Sequence, residues 1–407
     1  MVSAAAFERE FGALAAIGRH PVDAGYSRLA WTAEDRAARV WFRAAAAARG
    51  LTVETDGNGN LWAWPGPAHA AAVVVGSHLD TVLSGGAYDG ALGVVSSFLA
   101  LDELRAVGAR PRRPVAVVAF ADEEGARYGL PTFGSRLMTG GLDPAAVVGR
   151  TDPAGVGLAE ALTTFDVDPA GLGADPQRLG WISSFVELHV EQGRALAELD
   201  APVGLATGIW PHGRWRLTLT GEPNHAGTTR LVDRRDPTLP LAGAVEAARR
   251  LAGANGAVAT VGRLLVRPNS TNSVPAEVTA WLDARAADDV TLDRLVTGWA
   301  DEVRSAAAAE RVRMSLHPES RSPAVTFDGD LTDRMAAVLA GQGLPSPRLP
   351  TAAGHDAGVL AGHVPSAMLF VRNPTGVSHS PAERAETADC VVGISVLASV
   401  IEDLACR

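Results

Sequence analysis

The chain of 407 residues contains no lysine, so all 36 of its basic residues are arginine. Enzymes that form Schiff bases, including those that use pyridoxal phosphate, need a lysine amine, and the Walker-type phosphate loop needs a lysine as well. The sequence therefore excludes all of these classes of protein.

Cysteine is nearly absent too, because Cys390 and Cys406 are the only two in the sequence. Two cysteines form neither a disulfide framework nor a thiolate metal site, which favours a reducing compartment. No apolar run reaches the length of a membrane span. The first residues lack the basic start and the long apolar run of a signal peptide. We therefore expect a cytoplasmic protein.

The chain has a formal net charge of −10 and no extended basic stripe. Such a charge disfavours nucleic acids and anionic membranes, so neither is an expected partner. Hydrophobic residues make up 47% of the chain, which indicates a globular protein. A chain of 407 residues exceeds one compact core, and two domains are expected.

Apolar runs alternate with helical stretches in the first third of the chain. Buried strands are expected over 71–76 and 115–121, and helices over 33–50 and 91–107. Both strands end at polar side chains, where open α/β sheets form their ligand crevice. Residues 1–206 and 323–407 are therefore expected to form an α/β catalytic domain, with a mixed, mostly parallel sheet flanked by helices.

The pattern changes after Thr207. Polar and apolar residues alternate over 214–220, 259–267 and 277–285, and helical stretches lie near them. Alternation of this kind is typical of an antiparallel sheet with one polar face. Residues 207–322 are therefore expected to form an inserted, smaller α+β domain with an antiparallel sheet and helices.

Five short stretches hold most of the groups that a two-metal hydrolase needs. Together they supply three histidines and several carboxylates, which are donors suited to a borderline metal with nitrogen and oxygen ligands. The stretches are Gly76–Thr81, Tyr88–Gly90, Asp122–Gly125, Glu187–Gln192 and Ser378–Pro381.

Each stretch taken alone also has a structural explanation. Asp89 on a glycine turn is typical of a helix N-cap. Asp80 is expected either to cap His78 locally or to orient it as a ligand. Glu123 and Glu124 follow an apolar run, where two like charges are costly without a cation. If Glu124 binds metal, Glu123 is left as the base that takes a proton from water.

Taken in order along nearly the whole chain, the motifs resemble those of the M20 family of metal-dependent amidohydrolases. The resemblance is to the branch of N-carbamoyl-L-amino-acid hydrolases, allantoate amidohydrolases and β-ureidopropionases. It rests on Gly-Ser-His-Leu-Asp, Tyr-Asp-Gly, Glu-Glu-Gly-Ala-Arg, Glu-Leu-His-Val-Glu-Gln-Gly, His-Ala-Gly-Thr-Thr, Pro-Asn-Ser-Thr-Asn-Ser-Val-Pro, Gly-His-Asp-Ala and Ser-His-Ser-Pro-Ala-Glu.

The resemblance implies two divalent metal ions, Zn²⁺ or Mn²⁺, with Co²⁺ and Ni²⁺ also compatible. One ion is expected on His78, Asp89 and His189. The other is expected on Asp89, Glu124 and His379, so that Asp89 bridges the pair. The two ions are expected to share the hydroxide that attacks the substrate.

The resemblance also implies roles for other residues. Glu123 is expected to be the general base, with Asp80 in the catalytic set. His225 is expected to stabilise the oxyanion in the partner subunit of a homodimer, so that the inserted domain forms a lid and the dimer interface. The residues expected to bind a carboxylate substrate are Gln192, His225, Asn272, Arg285 and His355. Without the resemblance, Arg285 is expected to be an exposed strand arginine that pairs with Asp283 or Glu277.

The implied activity is hydrolysis of a linear C–N amide bond in a ureido compound that bears a carboxylate. Allantoate and N-carbamoyl-L-amino acids are the expected substrates, which makes the enzyme a hydrolase of carbon–nitrogen bonds other than peptide bonds. Deacylation of N-acyl or N-formyl amino acids and peptide hydrolysis remain alternatives. Arg230-Leu231 replaces the Pro-Met common after His-Ala-Gly-Thr-Thr, so the sequence leaves the substrate open.

Overall fold

The computed structural model describes residues 2–66 and 71–407 of the chain. Two compact units are present. The larger consists of Met1–Gly208 and Thr326–Arg407, and the smaller consists of Ile209–Val325. Within the described residues, no helix combines the length and the hydropathy that crossing a membrane requires.

The strands are numbered along the chain. They are β1 (Thr52–Thr55), β2 (Leu61–Trp64), β3 (Ala72–His78), β4 (Val115–Phe120), β5 (Ile182–Val190), β6 (Val203–Ile209), β7 (His212–Thr220), β8 (Asn224–His225), β9 (Val258–Arg267), β10 (Ser273–Val274), β11 (Glu277–Arg285), β12 (Arg313–Ser322), β13 (Val325–Thr326), β14 (Arg348–Thr351) and β15 (Ser366–Val371).

The helices are numbered in the same way. They are α1 (Ala4–Ala15), α2 (Ala33–Ala47), α3 (Ala91–Ala106), α4 (Phe133–Thr139), α5 (Pro144–Val147), α6 (Leu158–Thr163), α7 (Pro176–Leu179), α8 (Ala195–Glu198), α9 (Thr238–Ala254), α10 (Asp289–Ala309), α11 (Gly329–Gly341), α12 (Asp356–Leu360) and α13 (Thr387–Cys406).

A nine-stranded mixed sheet forms the centre of the larger unit. Its strand order is β1–β2–β4–β3–β5–β15–β6–β13, and β14 pairs with β6. The four central strands, in the order β4–β3–β5–β15, run parallel to one another. They are rich in valine and other apolar residues and are buried almost throughout, as expected for parallel strands covered on both faces.

Helices α1, α3 and α13 pack with one face of this sheet into a single hydrophobic core. Helix α3 is apolar over most of its surface and is buried along nearly its whole length. Its first residue follows directly after the Tyr88-Asp89-Gly90 turn, so the packing of α3 sets where that turn lies.

The smaller unit contains a four-stranded antiparallel sheet of order β12–β7–β11–β9. Alternate residues of β7 and β11 are buried, and they pack with α9 and α10 into a separate core. Strands β8 and β10 form a short antiparallel ribbon. The predicted mixed α/β fold, with a mostly parallel central sheet and a separate antiparallel sheet with helices, is confirmed.

Candidate metal centre

The polar stretches that follow β3, β4 and β5 meet at one edge of the sheet of the larger unit. His78 is the last residue of β3, and His189 is the penultimate residue of β5. Glu123 and Glu124 follow β4. Strand β3 lies between β4 and β5, and the three strands are parallel, so their carboxyl ends bring these side chains together.

Asp89 reaches this edge from the turn before α3. The next residue, Gly90, has a φ of +65°, and a Cβ there would overlap the imidazole of His78. Glycine is therefore required both for the backbone conformation and for the close approach of the turn to His78. The Asp89 side chain is buried as a result.

Asp89 lies between two groups of possible ligands, His78 with His189 and Glu124 with His379, and directs one oxygen toward each. Its Oδ1 is 3.3 Å from Nε2 of His78 and 3.1 Å from Nε2 of His189. Its Oδ2 is 3.4 Å from Nε2 of His379, which is also 3.4 Å from Oε2 of Glu124. Within each group the donor atoms lie within 4.8 Å of one another. The structure thus brings together all five residues predicted to bind metal.

Hydrogen bonds orient the two buried imidazoles. Nδ1 of His78 lies 3.1 Å from the carbonyl oxygen of Asp80, and Nδ1 of His189 lies 2.8 Å from that of Val190. A carbonyl only accepts, so in each neutral ring Nδ1 carries the proton and Nε2 carries the lone pair. Among the described residues, the buried Nε2 of His78 has no hydrogen-bond partner. This arrangement prepares both rings to bind a cation.

The spacing of the donors fits a pair of divalent cations. Bonds of about 2.0–2.2 Å to a tetrahedral cation place two of its ligands roughly 3.3 Å apart. The nitrogen–oxygen distances around Asp89 and Glu124 are 3.1–3.4 Å. One group offers two nitrogen donors and one oxygen donor, and the other offers one nitrogen and two oxygens. Such mixed donors suit zinc, manganese, cobalt or nickel.

Asp80 contacts the ring of His78 through its backbone. The acceptor for His78 is the backbone carbonyl of Asp80, whereas the nearer carboxylate oxygen is 3.7 Å from Nδ1. The carboxylate instead accepts hydrogen bonds from the backbone N–H groups of Glu123 at 3.1 Å and Glu124 at 3.0 Å. Asp80 therefore holds both the histidine at the end of β3 and the acidic loop after β4.

Burial shifts the pKa values of the acidic groups. It raises the pKa of Glu123 well above its usual value, and the neighbouring Glu124 adds to the shift. It also raises the pKa of Glu124 to about 8. The hydrogen bond with Asp89 raises the pKa of His379 to about 9. Both Glu124 and His379 therefore bind a proton that a metal ion would displace.

Gln192 and His355 lie beside the histidine groups. Nε2 of Gln192 donates to Oδ2 of Asp89 at 2.6 Å, and its Oε1 is buried without a hydrogen-bond partner among the described residues. The His355 ring packs edge-on against His189, with centroids 4.5 Å apart. Burial lowers the pKa of His355 well below its usual value, so the ring is neutral.

A third group of possible ligands consists of Glu187, His189 and His355. Both carboxylate oxygens of Glu187 already accept hydrogen bonds, one from Oγ of Ser77 at 2.6 Å and one from the backbone N–H of Ala357 at 2.9 Å. Glu187 thus anchors the start of α12 to the sheet, and this group fits a cation less well than the two groups around Asp89.

The other predicted substrate-binding residues lie in the smaller unit. His225 pairs with Ser273 across β8 and β10, and the carbonyl of Asn272 accepts from the N–H of Ala226, so Asn272 lies close to His225. Nδ1 of His225 accepts hydrogen bonds from two backbone N–H groups, at 3.0 and 3.2 Å. Its other nitrogen, Nε2, therefore carries the proton of the neutral ring.

Arg285, at the end of β11, makes the ion pair that the strand interpretation predicts. Its Nε donates to Oδ1 of Asp283 at 3.0 Å. Asp283 also pairs with Arg214 at 3.2 Å. A substrate carboxylate on Arg285 would therefore compete with Asp283 for the guanidinium.

Glu383 is a residue of this region to which the sequence assigns no role. It belongs to the Ser-His-Ser-Pro-Ala-Glu motif, and its carboxylate accepts hydrogen bonds from the backbone N–H groups of Tyr88 and Asp89. Its presence in the motif was the available signal. Nothing in the local spacing indicates that its partner lies on a turn almost three hundred residues away.

Comparison with known proteins places the chain in a family. The profile of the peptidase family M20/M25/M40 matches residues 74–403. N-carbamoyl-L-amino acid amidohydrolase from Geobacillus stearothermophilus is 36% identical over 395 residues, which cover 96% of each protein. Allantoate amidohydrolase from Escherichia coli (strain K12) is 31% identical over 406 residues, 98% of each.

The crystal structure of an amidase of the hydantoinase/carbamoylase family from Burkholderia multivorans has a TM-score of 0.88 to this chain. The two are 29% identical, and the match covers 100% of this chain and 98% of that one. The similarity therefore extends over both units.

The chain belongs to the peptidase family M20/M25/M40, which confirms the predicted membership. It is a hydrolase that acts on carbon–nitrogen bonds other than peptide bonds. Enzymes of this family depend on metal ions, and the two groups around Asp89 are the candidates to bind them.

Proposed function

We propose that the chain hydrolyses a linear C–N amide bond in allantoate or an N-carbamoyl-L-amino acid, using two divalent metal ions. The main support is the division of the Asp89 carboxylate, with one oxygen toward His78 and His189 and the other toward His379. A bridging carboxylate of this kind suits two-metal hydrolases. Relatives that match over nearly the full length are named for these substrates.

In this proposal His78, Asp89 and His189 hold one cation, and Asp89, Glu124 and His379 hold the other. When bound, the two cations supply an activated water and positive charge beside the substrate carbonyl. Zn²⁺ and Mn²⁺ are the proposed ions, and Co²⁺ and Ni²⁺ accept the same donors.

Glu123 is the proposed general base. Its Oε2 lies 3.9 Å from Nε2 of His78, and its burial raises its pKa, which favours a group that binds a proton and releases it again. Glu123 takes a proton from the attacking water and gives it to the leaving nitrogen. Asp80 assists by holding the Glu123 backbone and the His78 ring in place.

Gln192 and His355 are proposed to contact the substrate in the larger unit. The buried Oε1 of Gln192 and the buried Nε2 of His355 have no hydrogen-bond partner in the described part of the chain. A ureido group presents N–H donors. Oε1 of Gln192 can accept a hydrogen bond from such a donor, and Nε2 of His355 can do so when the proton of its ring is on Nδ1. Their pairing with substrate would offset the cost of burying them.

The roles of the smaller unit are proposed from the family resemblance. His225 donates its Nε2–H to the oxyanion, and the backbone contacts at Nδ1 support that tautomer. Asn272 and Arg285 bind the substrate carboxylate, for which the planar guanidinium of Arg285 is suited. The smaller unit is a lid and dimerisation domain of a cytoplasmic homodimer, and His225 reaches the partner's site.

A substrate panel tests the proposal. Protein stripped with a chelator and reconstituted with Mn²⁺ or Zn²⁺ is assayed with allantoate, an N-carbamoyl-, an N-formyl- and an N-acetyl-L-amino acid, and a dipeptide. We expect metal-dependent turnover of allantoate or the N-carbamoyl compound, at two ions per chain. Preferential hydrolysis of the N-formyl or N-acetyl compound, or of the dipeptide, would favour the deacylase or metallopeptidase alternative instead.

A further inference from the structure

Glu383 is a buried carboxylate that joins the two sides of the candidate metal centre. It is 5% exposed, and it follows His379 by four residues. Its Oε1 accepts hydrogen bonds from the backbone N–H of Tyr88 at 2.8 Å and of Asp89 at 3.0 Å. Its Oε2 lies 3.3 Å from Oγ of Ser378, the neighbour of His379. One side chain thus contacts both the turn of Asp89 and the loop of His379.

The turn is shaped to receive this side chain. A Cβ on Gly86 would overlap both carboxylate oxygens of Glu383. A residue with a side chain at position 86 would therefore displace Glu383 from the N–H groups of Tyr88 and Asp89. The fit is specific to a long side chain that enters from the loop after His379.

The contacts of Glu383 are those of a hydrogen-bond acceptor. Its Oε1 accepts from both backbone N–H groups of the turn, and its Oε2 faces the hydroxyl of Ser378. An amide oxygen at the same reach can accept the same two backbone hydrogen bonds.

The loop that it contacts needs such support. His379 has a φ of +55°, a left-handed conformation that is uncommon outside glycine, and its side chain is about half exposed. Few packing contacts therefore hold the His379 ring, whereas His78 and His189 are fixed within the sheet. The position of His379 relative to Asp89 depends on the residues that anchor the loop.

We infer that Glu383 is a positioning residue that fixes the bridging Asp89 relative to His379, and so sets the affinity of the centre for its second cation. The inference rests on the proposed two-cation function. Partners of metal ligands typically contribute about 10–100-fold to metal affinity. The role requires an acceptor of the right reach and does not require a negative charge.

Two conservative variants separate reach from charge. Glu383→Gln keeps an acceptor oxygen at the same reach without the charge, whereas Glu383→Asp keeps the charge and withdraws the acceptor by one methylene. Mn²⁺ is titrated into each metal-free protein by calorimetry. We expect the Asp variant to bind one of its two ions about 10–100-fold more weakly and the Gln variant to bind both within a few-fold of wild type. Wild-type affinity in the Asp variant, or equal losses in both variants, would overturn the inference.

Asp56→Glu is the matched control. Asp56 is also a buried carboxylate of the larger unit that accepts from two backbone N–H groups, those of Asn58 and Asn60, both at 2.9 Å. Its replacement should leave Mn²⁺ affinity unchanged, and a loss equal to that of Glu383→Asp would show general destabilisation and refute the inference. If the wild type binds fewer than two ions, the proposed function itself fails. If the wild type binds two and Glu383→Asp matches it, only the role of Glu383 fails.

Discussion

Glu123 and Glu124 are adjacent in the chain but face different partners. Glu124 lies 3.4 Å from Nε2 of His379, and Glu123 lies 3.9 Å from Nε2 of His78. The Asp80 carboxylate holds the backbone N–H groups of both residues, which limits their freedom to exchange positions. In the proposed function this separation assigns metal binding to Glu124 and proton transfer to Glu123.

Glu123→Gln is expected to abolish hydrolysis while keeping the metal. The amide has nearly the same shape but cannot accept the proton, and general-base catalysis typically contributes about 10²–10⁴-fold to the rate. Steady-state turnover and Mn²⁺ stoichiometry are to be measured on the same preparation. Glu124→Gln, the matched variant one residue away, should lose metal as well as activity. Wild-type turnover by Glu123→Gln would remove Glu123 as the base.

The stability of the metal-free protein is expected to fall as pH rises from about 6.5 to about 8. The pKa of Glu124 is raised from 4.5 to about 8 and that of His379 from 6.5 to about 9. Each group therefore stabilises the folded state only while it is protonated, and this stabilisation is lost as the pH rises toward its folded-state pKa.

Metal binding should show the opposite trend, because the cation binds only the deprotonated groups. Melting temperatures measured in a chelator and in excess Mn²⁺ across this pH range should diverge as pH increases. A difference between the two curves that is constant or shrinks with pH would contradict the ligand roles of Glu124 and His379.

Helix α3 approaches β5 more closely than a side chain would allow. Gly93, in the first turn of α3, lies where a Cβ would overlap the carbonyl oxygen of Leu188 in β5. Asp89 precedes this helix by two residues. The close packing of α3 on β5 thus helps to set the distance between Asp89 and His189.

Gly93→Ala is expected to destabilise the protein by about 1–3 kcal/mol, because the added methyl group forces α3 away from β5. Gly12→Ala is the matched control in α1, where a Cβ would have nothing within 4 Å. That change should stabilise the protein by about 0.5–1 kcal/mol, since alanine favours the helix. Urea unfolding followed by circular dichroism measures both effects. Equal stabilisation by both alanines would refute the packing argument.

The parallel strands could be predicted because they are apolar on both faces and end at polar residues. The β1–β2 hairpin could not, since its strands have four residues each and its turn is held by contacts visible only in the fold. The Asp56 carboxylate accepts hydrogen bonds from the backbone N–H groups of Asn58 and Asn60 and from Nε1 of Trp62.

Strand β12 was not predicted either. It contains Pro318, which an edge strand tolerates and a central strand does not.

The candidate site could be predicted to the extent that its residues lie at strand ends and turns. His78, Asp89 and Glu124 each stand next to such a boundary in the sequence, and the structure brings them together. Two contacts had no local signal. Asp80 holds His78 through its backbone carbonyl, which no side-chain pattern reveals. Glu383 contacts Asp89 across 294 residues of sequence.

At the scale of the molecule, the chain divides its residues between two units with separate hydrophobic cores. The candidate metal ligands and Glu123 belong to the larger unit, and His225, Asn272 and Arg285 belong to the smaller. The proposed reaction therefore requires groups from both units, and in a homodimer these can come from different subunits.

Mixing two inactive variants tests whether His225 acts in the partner's site. In a heterodimer of Glu123→Gln with His225→Ala subunits, one site would combine an intact Glu123 with an intact His225. Random association in a two-fold dimer would then restore about a quarter of wild-type activity. The mixture is refolded together and assayed, with each variant alone as control. Activity no higher than that of the two parents would place His225 in the site of its own subunit.

Two neighbouring strands, β7 and β12, lie close to the two ends of the smaller unit. His212 at the start of β7 pairs directly with Ser322 at the end of β12. Paired residues of antiparallel strands lie only about 5 Å apart, so both junctions fall at one place. The intervening segment can consequently be exchanged for its counterpart from another amidohydrolase through a single pair of cuts. Activity of such chimaeras toward several substrates would show how much of the choice of substrate the inserted segment determines.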